Sequence, residues 1–202
     1  MSRYSKARFL KSAMGPGTFG DDSGYEVAFA GRSNSGKSSA LNAIVRQRDL
    51  ARTSGTPGRT QAVNLFELVP GQRLADLPGY GHARVPPSVR AAWARLMDTY
   101  FAERASLAGL FIVVDARRGF GDSDGVMLDY AAARGLPSHI LLSKEDKLGR
   151  NESKAALAAA RKILGGRASA QLFSAETGEG VDAAQRALEA MLAGHVKAPG
   201  DP

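Results

Sequence analysis

Residues Gly31–Ser38 read GRSNSGKS, and this octapeptide constrains the fold more than any other part of the chain. It fits G-x-x-x-x-G-K-[ST] and stands between an apolar run, Tyr25–Ala30, and a helix-like stretch, Lys37–Arg46. Such a loop leaves the carboxyl end of a buried strand and opens directly into a helix. The backbone N–H groups of Gly31, Arg32, Ser33, Asn34, Ser35 and Gly36, with those of the helix N-terminus, can then surround phosphate oxygens. Gly31 and Gly36 permit dihedrals and a close approach that a Cβ would block. Lys37 is expected to reach the β- and γ-phosphates, and the Ser38 hydroxyl to hold Mg²⁺.

The same alternation of strand and helix continues along the chain. Strands are expected at Tyr25–Ala30, Ala62–Val69, Arg73–Leu77, Gly109–Asp115, Ser138–Ser143 and Ala170–Phe173. Helices are expected at Lys37–Arg46, Ser88–Arg104, Asp124–Arg134, Ser153–Leu164 and Val181–Leu192. This pattern predicts an α/β fold with a mostly parallel six-stranded sheet and helices on both faces. Pro70-Gly71-Gln72 joins two strands as a hairpin, so one strand is expected to be antiparallel. Residues 1–23 carry Arg3, Lys6, Arg8 and Lys11 before the first acid and read as a basic arm. Residues 24–194 read as the nucleotide-binding domain, and 195–202, with Pro199 and Pro202, as a flexible tail.

Composition removes several alternatives. The chain has no cysteine, which excludes disulfides, thiolate metal sites and a cysteine nucleophile. Three scattered histidines argue against a histidine metal site. No run reaches the length of a membrane span, and the N-terminus has no apolar core of the secretory kind, so a cytoplasmic protein is expected. The net charge of +7 favours a polyanionic partner.

Three further motifs define the chemistry. DLPGYG, Asp76–Gly81, ends a strand beside the phosphates. Asp76 can hold Mg²⁺ through water, Leu77 and Pro78 carry the loop, and the Gly79 N–H can meet a γ-phosphate. TSGTPGRTQ, Thr53–Gln61, supplies Thr60 as the second Mg²⁺ ligand, ahead of its competitor Thr56 because it lies nearer the strand. Gly58, Arg59, Gln61 and Ala62 accompany it on the nucleotide. SKED, Ser143–Asp146, follows a strand, and a carboxylate there can accept from the N1–H and amine of guanine. Adenine has no such donor pair, so an unpaired carboxylate rejects it. The Lys144 stem can lie along the base plane, with Glu145 beside it. Phe173, Ser174 and Ala175 end the last strand, where the Ala175 N–H can meet the guanine O6. Lys37, Thr60 and Gly79 are the candidate catalytic set.

Together these residues resemble a translation-factor-type GTPase domain and, more closely, the EngB family of bacterial ribosome-assembly GTPases. The resemblance rests on EVAFAGRSNSGKSSALNAI (26–44), TSGTPGRTQAVNLFEL (53–68), LADLPGYGHARVP (74–86) and the N-terminal KARFLKSA (6–13). It departs at Ser143, where Asn or Thr is usual, although a serine hydroxyl can still bridge to the phosphate loop. The resemblance implies a three-layer P-loop GTPase fold, GTP binding and hydrolysis, and Mg²⁺. It also implies association with the large ribosomal subunit or its precursor and a link to cell division and septum formation; a monomer is expected. Many such GTPases place a glutamine after the third-motif glycine to orient water. Tyr80 stands there instead, so slow intrinsic hydrolysis is expected; Arg59 and Arg84 lie in the two loops and could act as fingers, with a solvated or RNA-facing arginine as the preferred alternative. Some relatives use an asparagine at the position of Asn34 to coordinate K⁺, and a loop-capping role is the alternative. The competing reading is a GTP-ordered binding module or division scaffold in which hydrolysis is incidental.

Overall fold

LAGLFIVVD, Leu107–Asp115, is buried at every one of its nine residues. A strand apolar on both faces belongs at the centre of a sheet covered on both sides. The computed structural model, which describes residues 3–15, 17–51, 62–81 and 86–194, places it there. Within the described residues seven strands form one sheet: β1 (Arg8–Ala13), β2 (Tyr25–Gly31), β3 (Val63–Val69), β4 (Gln72–Asp76), β5 (Leu107–Asp115), β6 (Ser138–Ser143) and β7 (Ser169–Leu172). Their order is β1-β3-β4-β2-β5-β6-β7. β3 is antiparallel to both of its neighbours, and every other pairing is parallel, so one strand runs against the rest.

The expected six strands are all present, and a seventh is added. β1 lies inside the segment read as an arm and pairs with β3 from Arg8↔Glu67 to Ala13↔Val63. Five of its six residues are exposed and two are cationic, so its pattern carries no apolar alternation. Charged, exposed residues suit an edge strand, where only one side of the backbone is paired.

Among the described residues, five helices cover the sheet: α1 (Lys37–Val45), α2 (Pro87–Glu103), α3 (Asp122–Ala133), α4 (Arg150–Leu164) and α5 (Val181–Leu192). Alternate residues of the strands face opposite layers. Val27, Phe29, Phe111 and Val113 pack with α1 and α5, whereas Ala28, Ala30, Ile112 and Val114 pack with α2, α3 and α4. Phe29 and Phe111 stack at 4.8 Å between ring centroids. From β2 the chain runs through α1 to β3 and β4 on one side of it, and from β4 it returns through α2 to β5 on the other side. The strand order therefore reverses at β2, and the crevice beyond its carboxyl end is where open α/β sheets bind ligands.

The opposite pole is closed by charge. Glu26, fully buried at the start of β2, accepts from Tyr100 Oη at 2.7 Å and from Arg104 Nη2 at 2.7 Å, with Arg73 Nε at 3.4 Å. Nearby, Asp22 accepts from the Ala105 and Ser106 N–H groups and the Ser106 hydroxyl. These bonds tie residues 21–26 to the end of α2 and the start of β5.

Candidate functional site

The phosphate loop leaves β2 at Gly31 and enters α1 at Lys37. A Cβ on Gly31 would stand 2.6 Å from Ser35 Oγ and 2.7 Å from the Val113 carbonyl, which only glycine avoids. Gly36 has φ +90° and Asn34 φ +63°. The Arg32 carbonyl accepts from the Ser35 N–H at 2.9 Å, which closes the turn. The first intrahelical bond runs from Ala40 N to Gly36 O, so the amides before it have no helical partner. No acidic side chain occupies the first turn of α1, and the positive helix end is left for an anion.

Asp76, at the end of β4, forms an ion pair with Lys37. Beyond β4 the chain docks on the phosphate loop: Ser33 N donates to Tyr80 O at 3.0 Å, and Tyr80 N to Gly31 O at 3.4 Å. A Cβ on Gly79 would lie 2.8 Å from Ser33 Oγ. Lys37, Ser38, Ala62, Asp76, Pro78 and Gly79 line a cavity of about 650 Å³, with Phe9 and Ser12 of β1 on its far wall. Leu77 reaches the cavity edge, but its side chain is buried in the core.

Tyr80 turns inward. Its hydroxyl donates to Asp124 at 3.0 Å and its ring packs edge-on against Trp93. Burial pushes the Tyr80 phenol well above its ordinary range, and the Asp124 carboxyl beside it adds to the rise. Arg32 points the same way, with its guanidinium 3.0 Å from Asp124 and bonded to the Gly119 carbonyl. Arg32 therefore serves the loop through its backbone, and its side chain links the loop to the start of α3.

On the other side of the loop lies a second cavity of about 560 Å³. Gly36, Ser143, Lys144, Asp146, Phe173 and Ala175 line it, together with Ser39 and Ala43 of α1 and Arg46, which caps that helix. Ser143 Oγ donates to the carbonyls of Ser35 and Val114, so serine does make the bridge to the phosphate loop. Lys144 Nζ donates to Asn34 O at 2.6 Å and to Asp115 at 3.0 Å. Asp146 accepts from the Ser174 hydroxyl at 2.6 Å and pairs with Lys147. The Ser174 bond and the Lys147 ammonium hold the Asp146 carboxyl below the usual carboxylate range. Burial raises the Asp115 carboxyl, but Arg117 and Lys144 outweigh it and hold the group well below that range.

Two of the expected residues are also tied to the core and to α4. The Glu145 side chain accepts from Ser153 at 3.0 Å, toward α4 and away from the cavity, because Glu145 opens a 3-10 turn that Lys144 enters at φ +59°. Phe173 is a core residue whose carbonyl accepts from Glu145 N, and it meets the cavity only as a floor. Gly58, Arg59, Thr60 and Gln61, with Thr56 and Arg84, lie outside the described residues. Sequence reasoning missed Asp115, Asp124 and the α1 residues. The i, i+4 spacing of Ser39 and Ala43 after the motif could have marked that helix face. Nothing local marks the two aspartates. Among the described residues no cluster of three His, Asp or Glu is placed for a metal, and no helix is long and apolar enough to cross a membrane.

Residues 26–144 match the family described as 50S ribosome-binding GTPase. A protein of Xanthomonas campestris pv. campestris named "Probable GTP-binding protein EngB" is 47% identical over 200 residues, covering 97% of each chain. Its namesake in Stenotrophomonas maltophilia is 48% identical over 191 residues, covering 93% of this chain and 96% of that one. Among solved structures, a probable GTP-binding protein engB superposes with a TM-score of 0.67 at 18% identity, over 83% of this chain and 98% of that one. Era in complex with MgGDPNP and nucleotides 1506–1542 of 16S ribosomal RNA gives 0.60 at 17% identity, over 90% of this chain and 59% of that one.

Proposed function

We propose, from the premise that this chain belongs to the EngB family of P-loop GTPases, that it hydrolyses GTP slowly on its own and acts on the large ribosomal subunit or its precursor during assembly. Membership of the family supports GTP and GDP as the ligands of this site. The observation that carries the reading of its two cavities is Asp146, a charged acceptor facing the cavity across the phosphate loop from Lys37. Guanine offers two donors there and adenine none.

Within that reading Lys37 leaves Asp76 for the β- and γ-phosphates, and the loop amides and α1 N-terminus hold the rest of the chain of phosphates. Ser38 and Asp76 are oxygen donors on one cavity wall, which fits a hard cation such as Mg²⁺. Ser38 and Thr60 would hold it, with Asp76 acting through water. Held there, Mg²⁺ would supply positive charge against the negative charge of the phosphates. The Gly79 N–H meets the γ-phosphate, and Gly58, Arg59, Gln61 and Ala62 flank it. Water attacks the γ-phosphorus as its bond to the β-bridging oxygen breaks, giving GDP and phosphate.

The Tyr80 hydroxyl is committed to Asp124, so it does not orient that water. This supports an unassisted rate of about 10⁻⁴ to 10⁻² per second. It also favours the second reading, in which GTP orders a binding surface and turnover is secondary. Asn34, exposed on the loop, is the candidate K⁺ ligand. The basic charge supports an rRNA contact, the link to division and septum formation follows the resemblance, and a cytoplasmic monomer belongs to the same reading. Single-turnover hydrolysis, in K⁺ and in Na⁺, with and without large-subunit particles, tests this. Stimulation by particles supports the assembly GTPase; sedimentation with particles in the GTP state without stimulation supports the binding module. Equal rates in the two salts remove K⁺, and no association in either nucleotide state overturns the ribosomal reading.

A further inference from the structure

Asp115 ends β5 in the interior, 3% exposed, and belongs to none of the nucleotide motifs. Arg117 grips both of its oxygens, Nε to Oδ1 at 2.9 Å and Nη2 to Oδ2 at 2.7 Å, and the Arg117 N–H donates to Oδ1 at 3.1 Å. The carboxylate therefore has a fixed orientation, and Oδ2 is left facing Lys144 Nζ at 3.0 Å.

Lys144 is held in turn at both ends. Its backbone stands at φ +59°, and its ammonium spans Asp115 and the Asn34 carbonyl. The stem between them passes the loop: a Cβ on Gly36 would lie 3.7 Å from Lys144 Cε. A lysine side chain has large rotamer freedom, and beside a polyphosphate its ammonium is drawn to the phosphates. The Asn34 carbonyl is a neutral acceptor on an exposed loop. A charged, buried and clamped carboxylate is the stronger anchor.

We propose that Asp115 is a positioning residue of the base cavity: by anchoring the Lys144 ammonium it keeps the lysine stem as a wall for guanine, and so sets how fast guanine nucleotides leave. This rests on the reading of that cavity as the guanine site. A purely structural Asp115 would only neutralise Arg117.

The test is release of fluorescently labelled GDP, chased with unlabelled GDP, from the wild-type chain, Asp115→Asn, Lys144→Met and the double variant, with melting temperatures alongside. Asp115→Asn keeps the shape and removes the charge. Release is expected to accelerate about tenfold in each single variant, as for loss of one charge-assisted hydrogen bond. In the Lys144→Met background Asp115→Asn should add less than about twofold, because its route is already cut. Unchanged release from Asp115→Asn overturns the proposal, and so does an equal further loss in the Lys144→Met background, which marks a structural role. If Asp115→Asn does not fold, Lys144→Met decides: release at the wild-type rate overturns the proposal. Failure of the wild-type chain to bind labelled GDP sinks the underlying reading of the cavity instead.

Discussion

At neutral pH the Asp146 carboxylate is charged, held so by Ser174 and Lys147, and a charged carboxylate can only accept. Asp146→Asn replaces one acceptor with a donor. GTP affinity should fall by about a hundredfold as paired hydrogen bonds are lost. XTP affinity should rise, because xanthine has an acceptor where guanine has its amine. Competition of GTP and XTP against labelled GDP checks this, and unchanged GTP affinity would remove Asp146 from base reading. At this scale legibility followed contiguity. GRSNSGKS, DLPGYG and SKED were readable because each motif's function lies in adjacent residues. Asp115 and Asp124 were not, because the sheet brings Asp115 to Lys144 from 29 positions away and α3 brings Asp124 to Tyr80 from 44. The inward turn of Tyr80 was hidden for the same reason.

Elements with a clear apolar period were legible to within a few residues. β6 and α5 have the expected bounds, while α4 begins at Arg150 rather than Ser153, where Glu152 bonds back to Gly149 N. β1 was illegible because an exposed basic edge has the composition of a solvated arm. The joint between α2 and β5 supplies a prediction about pH. Burial raises the Asp22 carboxyl, but the bonds from Ser106 and Ala105 outweigh it and hold the group below its ordinary range. A depressed carboxyl contributes stability that is present above its unfolded value, about pH 4, and is lost as pH falls through the folded one. Asp22→Ala should therefore cost about 1 kcal/mol at pH 7, a figure kept low because Asp22 is partly solvated. The difference from wild type should close below about pH 4. Urea melts across pH 3–7 measure this, and a constant difference would assign the loss to packing.

For the whole molecule, the +7 charge makes association with an RNA-rich particle a question of counterions. Binding to large-subunit particles should weaken steeply between about 50 and 200 mM salt, as phosphate-neutralising proteins do. Sedimentation over that range is the measurement. A flat response would replace an rRNA contact with a ribosomal-protein or scaffold partner.

The burial of β5 on all nine residues has a consequence for how ligands can be followed in this protein. An amide such as that of Ile112, on a strand buried on both faces, is expected to meet solvent deuterium only when the whole domain opens. Its exchange rate is thus a gauge of global opening. A ligand that binds only the closed chain slows that opening by the factor 1 + [L]/Kd, about a hundredfold at a hundred times Kd. The slowing should appear at Ile112, in mid-strand, as fully as at the phosphate loop itself. One deuterium uptake curve, taken at a strand the nucleotide does not touch, would rank GTP, GDP, XTP and ATP without a label on any of them.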